Sequence, residues 1–165
     1  MIRGRIETDD DAIRRLNDAA FGGTAESKLV VDLRAAGLVA VELVAIDESA
    51  VIGHILFSEL TVTLDEDVVP ALSLAPMSVR PGRQNSGIGG ALVRAGLDLA
   101  KDGGWHAVIV LGHPGYYPRF GFSASRARPL KAPFSGDAFM AIELVTGALA
   151  GDSGLIRYPP PFGIA

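Results

Sequence analysis

An α/β domain built on a mixed sheet is what this 165-residue sequence predicts. Three observations lead there. Two segments with helical spacing come first, β-rich runs joined by hairpin signals follow, and a strand–helix–strand unit comes after them.

Residues 2–7 read as a short first strand. Thr8 or Asp9 then caps a helix running to about residue 20, with Ile13, Leu16 and Ala20 on one face. A second helix is expected over 25–36, carrying Leu29, Val30 and Leu33, and Gly37 ends it. At residue 39 the period changes. The runs 39–46 and 51–62 are rich in β-formers and are separated by Asp-Glu-Ser-Ala, a hairpin signal. The acidic turn at 65–67 leads to a strand over about 70–79. The helix that follows carries Ile88, Leu92, Ala95 and Leu99 at offsets 0, 4, 7 and 11, an apolar stripe. A buried strand is expected at 106–112 and another at 139–145, with a Pro/Gly-rich segment between them. The tail GLIRYPPPFGIA holds too much proline to extend a sheet interior. With no internal repeat and no linker, one domain is expected.

Composition narrows the function. Hydrophobic residues make up 48% of the chain and charged ones 21%, an ordinary globular balance. No apolar run approaches the ~18 residues of a membrane span, so no membrane partner is expected. The opening MIRGRIETDDD has no apolar core ahead of its acidic cluster, so no secretory signal is expected. The absence of cysteine excludes disulfides, thiolate metal sites and cysteine nucleophiles, and points to a cytoplasmic protein. No metal site is expected. A net charge of −4 argues against nucleic acid, which calls for a basic stripe. The charge is uneven: Asp9, Asp10 and Asp11 cluster, as do Asp65, Glu66 and Asp67, while Arg80, Arg83 and Arg94 surround a glycine turn. A local cationic patch on an anionic chain suits a small anionic ligand.

That turn, RPGRQNSGIGG at 80–90, joins a strand end to a helix start. A helix N-terminus offers unsatisfied N–H groups and roughly half a positive charge, and glycines let a phosphate approach the main chain. Three phosphate motifs compete. The P-loop pattern fails because Ile88 stands where lysine is required. A dinucleotide fingerprint fails at Leu92, and the next strand lacks an acidic residue for a ribose. The pattern [QR]xxGx[GA] is met in full by Gln84, Gly87 and Gly89. The alternative is a glycine turn that serves tight packing alone.

This last pattern resembles the acyl-CoA loop of the GCN5-related N-acetyltransferase (GNAT) superfamily, in which the loop joins the fourth strand to the third helix. A second segment, GHPGYYPRFGF at 112–122, is similar to the family's stretch after the fifth strand, where a tyrosine stands four residues before a Gly-Phe pair; here it is Tyr117, ahead of Gly121 and Phe122. The combination resembles the YhbS-like branch of predicted acetyltransferases in particular. The resemblance covers roughly residues 1–145, taken as one N-acetyltransferase domain, and is strongest over 72–122. Residues 146–165 are then an extension packed on that domain or on a partner subunit.

The resemblance implies a mostly antiparallel sheet splayed between strands four and five, with helices on both faces. It implies acetyl-CoA as co-substrate and direct attack by a primary amine in a ternary complex. The grip on the diphosphate falls to the backbone of Asn85, Ser86, Gly87, Ile88, Gly89 and Gly90, with Gln84 as the motif residue and Arg80 and Arg83 beside the phosphates. Met77, Ser78 and Val79 pair with the pantetheine arm, and an N–H of Met77 or Val79 faces the oxyanion. Tyr117 is the general acid, since a phenol near pKa 10 stays protonated at neutral pH, while Tyr116 packs. Glu59 is the candidate base, with Glu143, His113 or an ordered water chain as alternatives. His54, among apolar neighbours, reads as a core or half-buried residue, and His113 as a cap. A cationic acceptor suits the acidic clusters; small polyamine, aminoglycoside, amino-acid and protein amines remain open. A homodimer follows from resemblance alone. Two other functions stand beside catalysis: an acyl-CoA sensor without turnover, and a site for another phosphorylated ligand such as a nucleotide.

Overall fold

The elements follow the periodicity of the sequence. The computed structural model describes residues 1–164. In chain order they are β1 (Ile2–Gly4), α1 (Asp10–Phe21), α2 (Ala25–Ala35), β2 (Val39–Asp47), β3 (Ala50–Leu64), β4 (Asp67–Val79) and α3 (Ile88–Asp102). Then come β5 (Ala107–Leu111), α4 (Ala124–Ala127), β6 (Leu130–Lys131), β7 (Phe139–Glu143) and β8 (Gly154–Arg157). The sheet runs β1-β2-β3-β4-β5-β7, with β8 against β3 and β6. It is mixed and mostly antiparallel, β4 running parallel to β5. The β2–β3 hairpin falls where Asp-Glu-Ser-Ala predicts it. Glu48 and Ser49 both take positive φ, of 50° and 66°, as a two-residue turn between twisted strands requires.

Two units are described in turn: Met1–Ser58 with Ala75–Leu99, and Glu59–Leu74 with the chain from Ala100 onward. In the first, successive residues of β3 point to opposite faces. Gly53 and Phe57 meet α3, while His54 meets α1. The stripe of α3 is rotated from the sequence expectation. Its buried residues include Leu92, Val93, Gly96, Leu97 and Ala100, whereas Leu99 is 47% exposed. The cause is Gly96, which hydrophobic periodicity cannot register. A Cβ there would lie 2.2 Å from Cε1 of the fully buried Phe57. Gly96→Ala is therefore expected to cost about 1–3 kcal/mol by overpacking. A lower urea midpoint with unchanged slope would show it, and Phe57→Leu in the same chain should recover part of the loss.

A buried polar chain fastens α1 and α2 to this half of the sheet. His54 is fully buried; its Nε2 lies 2.8 Å from Glu42 and its Nδ1 3.2 Å from the Asn17 amide. An ionised carboxylate can only accept, so Nε2 carries the proton and Nδ1 accepts from Asn17. Arg34 on α2 donates to the same carboxylate and reaches Asp10 at 3.2 Å. Burial pushes the Glu42 carboxyl up, but hydrogen bonds from His54 and Arg34 outweigh it and leave the pKa at about 2 against 4.5 unperturbed. The depressed value makes the sign definite: this stability is complete above pH 4.5 and is lost as pH falls towards 2. The contribution is on the order of 3 kcal/mol. Glu42→Gln should flatten the acid limb of a stability-against-pH curve; an unchanged limb would remove Glu42 as its source.

In the second unit the core gathers Val62, Ile109, Phe139, Ala141 and Ile156 among others. The tail departs from expectation. Gly154–Arg157 ends before the first of the three prolines, so β8 forms and pairs antiparallel with Thr61, Val62, Thr63 and Leu64 of β3. The Asp65 carboxylate in the β3–β4 turn accepts the N–H groups of Asp152 and Ser153 at 3.2 and 3.0 Å, fixing the approach to β8. Tyr158 and Phe162 then pack ring to ring beyond it.

Candidate functional site

The register of β4 sets up the site. It pairs with β5 through Ala71, Leu72 and Ser73, matched to Ala107, Val108 and Ile109. The strand continues through Met77, Ser78 and Val79, of which Met77 is half-buried and the other two buried. The Ser78 hydroxyl is buried without a hydrogen-bond partner among the described residues, as are Ser58 Oγ and Asn17 Oδ1. After Val79 the Arg80 N–H donates to Ile52 at 2.8 Å, and the chain leaves the sheet.

Three residues of the turn are left-handed: Gly82 at φ 90°, Asn85 at 63° and Gly87 at 87°. A Cβ added to Gly87 would meet nothing within 4 Å. Packing therefore does not demand glycine here; the backbone conformation does, and the space beside it is open. The first helical bond joins the Ala91 N–H to the Gly87 carbonyl at 3.0 Å. The N–H groups of Gly87, Ile88, Gly89 and Gly90 have no main-chain acceptor among the described residues. Four successive donors at the head of a 15-residue helix are an arrangement suited to an anion.

The side chains of the turn serve its shape. Gln84 Nε2 donates to the Val79 carbonyl at 3.2 Å, and Ser86 Oγ donates to the Arg83 carbonyl. Arg83 donates to Asp47 at 2.8 Å and so ties the turn to the β2–β3 hairpin. Arg80 lines a cleft of about 390 Å³ with Thr8, Arg15 and Ser49. This cleft was not anticipated from the sequence. Its only signal is the run of small residues Ala12 and Ala19 on an otherwise amphipathic helix.

The remaining candidates belong to the second unit. Tyr117 opens a short 3₁₀ turn, Tyr117–Phe120, nucleated by the His113 carbonyl, which accepts from the N–H groups of Tyr116 and Tyr117 at 3.0 and 3.3 Å. Of the two tyrosines, Tyr117 is the more buried, at 7% exposure. Its ring packs edge-on against Phe122 at 5.7 Å and against Tyr116 at 5.1 Å. Gly112 makes room for it, since a Cβ there would stand 2.4 Å from the ring. Burial, with a smaller effect from Tyr116, pushes the phenol up to about 12. Glu59 on β3 is exposed. Glu143 is committed elsewhere: it pairs with Arg126 and accepts the Leu149 N–H at 2.8 Å. His113 is exposed, and its main chain rather than its ring organises the turn.

The first two residues of the N-terminal acidic cluster are likewise engaged. Asp9 takes two hydrogen bonds from Arg3, at 2.8 and 2.9 Å, and one from the Ile6 N–H, and the Arg3 bonds hold its carboxyl below the usual range. Asp10 is bound by Arg5 and Arg34.

Fold and turn together define a mixed α/β protein with a row of main-chain donors at the head of α3. Comparison with known proteins supplies the family. Residues 2–125 match the acetyltransferase (GNAT) domain model. The N-acetyltransferase YhbS of Escherichia coli K12, itself uncharacterized, is 36% identical over 98% of both chains. The crystal structure of E. coli YhbS in complex with CoA superposes with a TM-score of 0.89 at 35% identity, over 99% of this chain and 92% of that one. A GNAT acetyltransferase from Brucella melitensis in complex with acetyl-CoA gives a TM-score of 0.79 at 33% identity, over 98% and 97% of the two chains. The chain belongs to the GNAT acetyltransferase family.

Proposed function

We propose that this chain transfers the acetyl group of acetyl-CoA directly to an amine, working as one catalytic domain on which residues 146–165 pack. The observation that carries the proposal is the row of four N–H groups at Gly87, Ile88, Gly89 and Gly90 that have no main-chain acceptor among the described residues, beside open space at Gly87. Those donors suit a diphosphate, and the CoA and acetyl-CoA complexes of the two relatives support the choice of ligand. When bound, acetyl-CoA supplies an activated thioester carbonyl; every other task falls to the protein.

Asn85 and Ser86 complete the loop that holds the diphosphate, and Gln84 and Arg83 keep its shape through Val79 and Asp47. Met77, Ser78 and Val79 offer main-chain groups to the pantetheine arm beyond the last β4–β5 pair, and one N–H of Met77 or Val79 stabilises the oxyanion. The lone Ser78 hydroxyl adds a polar group in need of a partner. Tyr117 donates the proton that leaves with the thiolate. Glu59 is retained as the base because Glu143 is engaged by Arg126 and the Leu149 N–H. The absence of cysteine removes a cysteinyl acyl-enzyme and favours direct attack.

The test is thiol release from acetyl-CoA across a panel of amines, coupled to mass detection of the acetylated product. Amine-dependent release with matching product is expected. CoA binding without release for any amine would replace the enzyme with a sensor.

A further inference from the structure

We propose that the cleft between α1 and the β2–β3 hairpin holds the acidic end of the acetyl acceptor, so that the acceptor is an amine bearing a carboxylate or phosphate and a short apolar body. This rests on the acetyl-transfer function proposed above. The cleft measures about 390 Å³, the size of a small-molecule site. Ala12, Arg15 and Ala19 reach it at helical spacing from one face of α1, and Thr8 reaches it from the turn that precedes the helix. Two of them are alanines, whose small side chains leave room beside the buried Leu16. Leu16, Val51 and Pro81 give it apolar walls.

Its free charge is positive. Arg15 and Arg80 are exposed, and neither forms an ion pair with another described residue; Arg80, expected beside the phosphates, lines this cleft. The one carboxylate in the lining, Asp9, is already paired with Arg3 and bound by the Ile6 N–H, which offsets its charge. Thr8 and Ser49 add hydroxyls suited to an anion. Two guanidiniums above small apolar walls select a ligand with one acidic group and little bulk. The cleft also has a fixed relation to the proposed acetyl site. Arg80 directly follows Val79, so its Cα is about 3.8 Å from that of the last pantetheine-binding residue. An amine at the strand can therefore extend its acidic end into the cleft.

The experiment uses two matched pairs of probes on the CoA-loaded protein: leucine against leucinamide, and phosphoethanolamine against ethanolamine. By calorimetry, an acidic member is expected to bind about tenfold or more tightly than its neutral or cationic counterpart. Arg15→Gln should erase that difference and Arg15→Lys should restore part of it. Arg14→Gln, on α1 but outside the cleft, should leave it intact. In turnover, Arg15→Gln should raise the KM of the acidic amine without changing that of acetyl-CoA. Equal binding within both pairs, or an Arg15→Gln protein like the wild type, overturns the inference while leaving acetyl transfer to other amines standing. Absence of thiol release with every amine overturns acetyl transfer itself. Arg15-dependent binding of leucine in that case would overturn the acceptor assignment and make the cleft an anion site of another kind.

Discussion

Gly87→Ala is expected to lower CoA affinity at least about tenfold while leaving a folded protein. The two effects separate because of the geometry at this residue. The left-handed φ of 87° costs an alanine about 1–2 kcal/mol, but the added Cβ meets no protein atom within 4 Å. What it does meet is the ligand, because it stands beside the donors that would cradle the diphosphate. Gly82 provides the control: its φ is 90°, the space around it is equally open, and it lies outside the residues given to the diphosphate. Gly82→Ala should lose similar stability, seen as a similar fall in melting temperature, and keep its CoA affinity. Calorimetry on both variants decides the matter. If both retain tight CoA binding, the helix head is not the phosphate site. If both lose it equally, backbone strain rather than contact is the cause.

This separation also explains what the sequence could and could not disclose. Gly87 was legible because a glycine where a strand becomes a helix has few roles, and the motif around it fixes the spacing of Gln84, Gly87 and Gly89. The strands were legible where period two or a continuous apolar run had one interpretation, as in β2, β3 and β5. Gly96 misled for the opposite reason: its meaning lies in Phe57, thirty-nine positions away in sequence, so the stripe of α3 was placed too far towards Leu99. Asn17 and Glu42 escaped in the same way, since each reads as unremarkable until helix and strands meet; the burial of His54 was legible, but its partners were not. The acidic clusters invited a cationic substrate, yet Asp9 and Asp10 spend their charge on Arg3, Arg5 and Arg34. Local patterns fix elements and turns; partners distant in sequence fix burial, and the chemistry of a charged group depends on its partner.

Tyr117→Phe is expected to reduce kcat by about 10²- to 10⁴-fold with the KM for acetyl-CoA unchanged. The substitution is unusually clean here. The ring supplies the contacts with Tyr116 and Phe122, and phenylalanine keeps them, so stability should change by under about 1 kcal/mol. Only the hydroxyl, and with it the proton donor, is removed. The pH dependence adds a second constraint. With the phenol pushed up to about 12, the acid form persists through the working range, and an alkaline limb in the wild-type kcat below about pH 11 must come from another group. Such a limb should survive in Tyr117→Phe at reduced amplitude; its disappearance would mean that Tyr117 titrates far lower than its burial implies. Gly112→Ala probes placement rather than presence. A Cβ 2.4 Å from the ring forces Tyr117 to move while leaving its hydroxyl intact, and kcat should fall again. Should the phenylalanine variant keep turnover within about twofold, the leaving thiolate takes its proton from water. Tyr117 is then a core residue, and the ring packing already accounts for its burial.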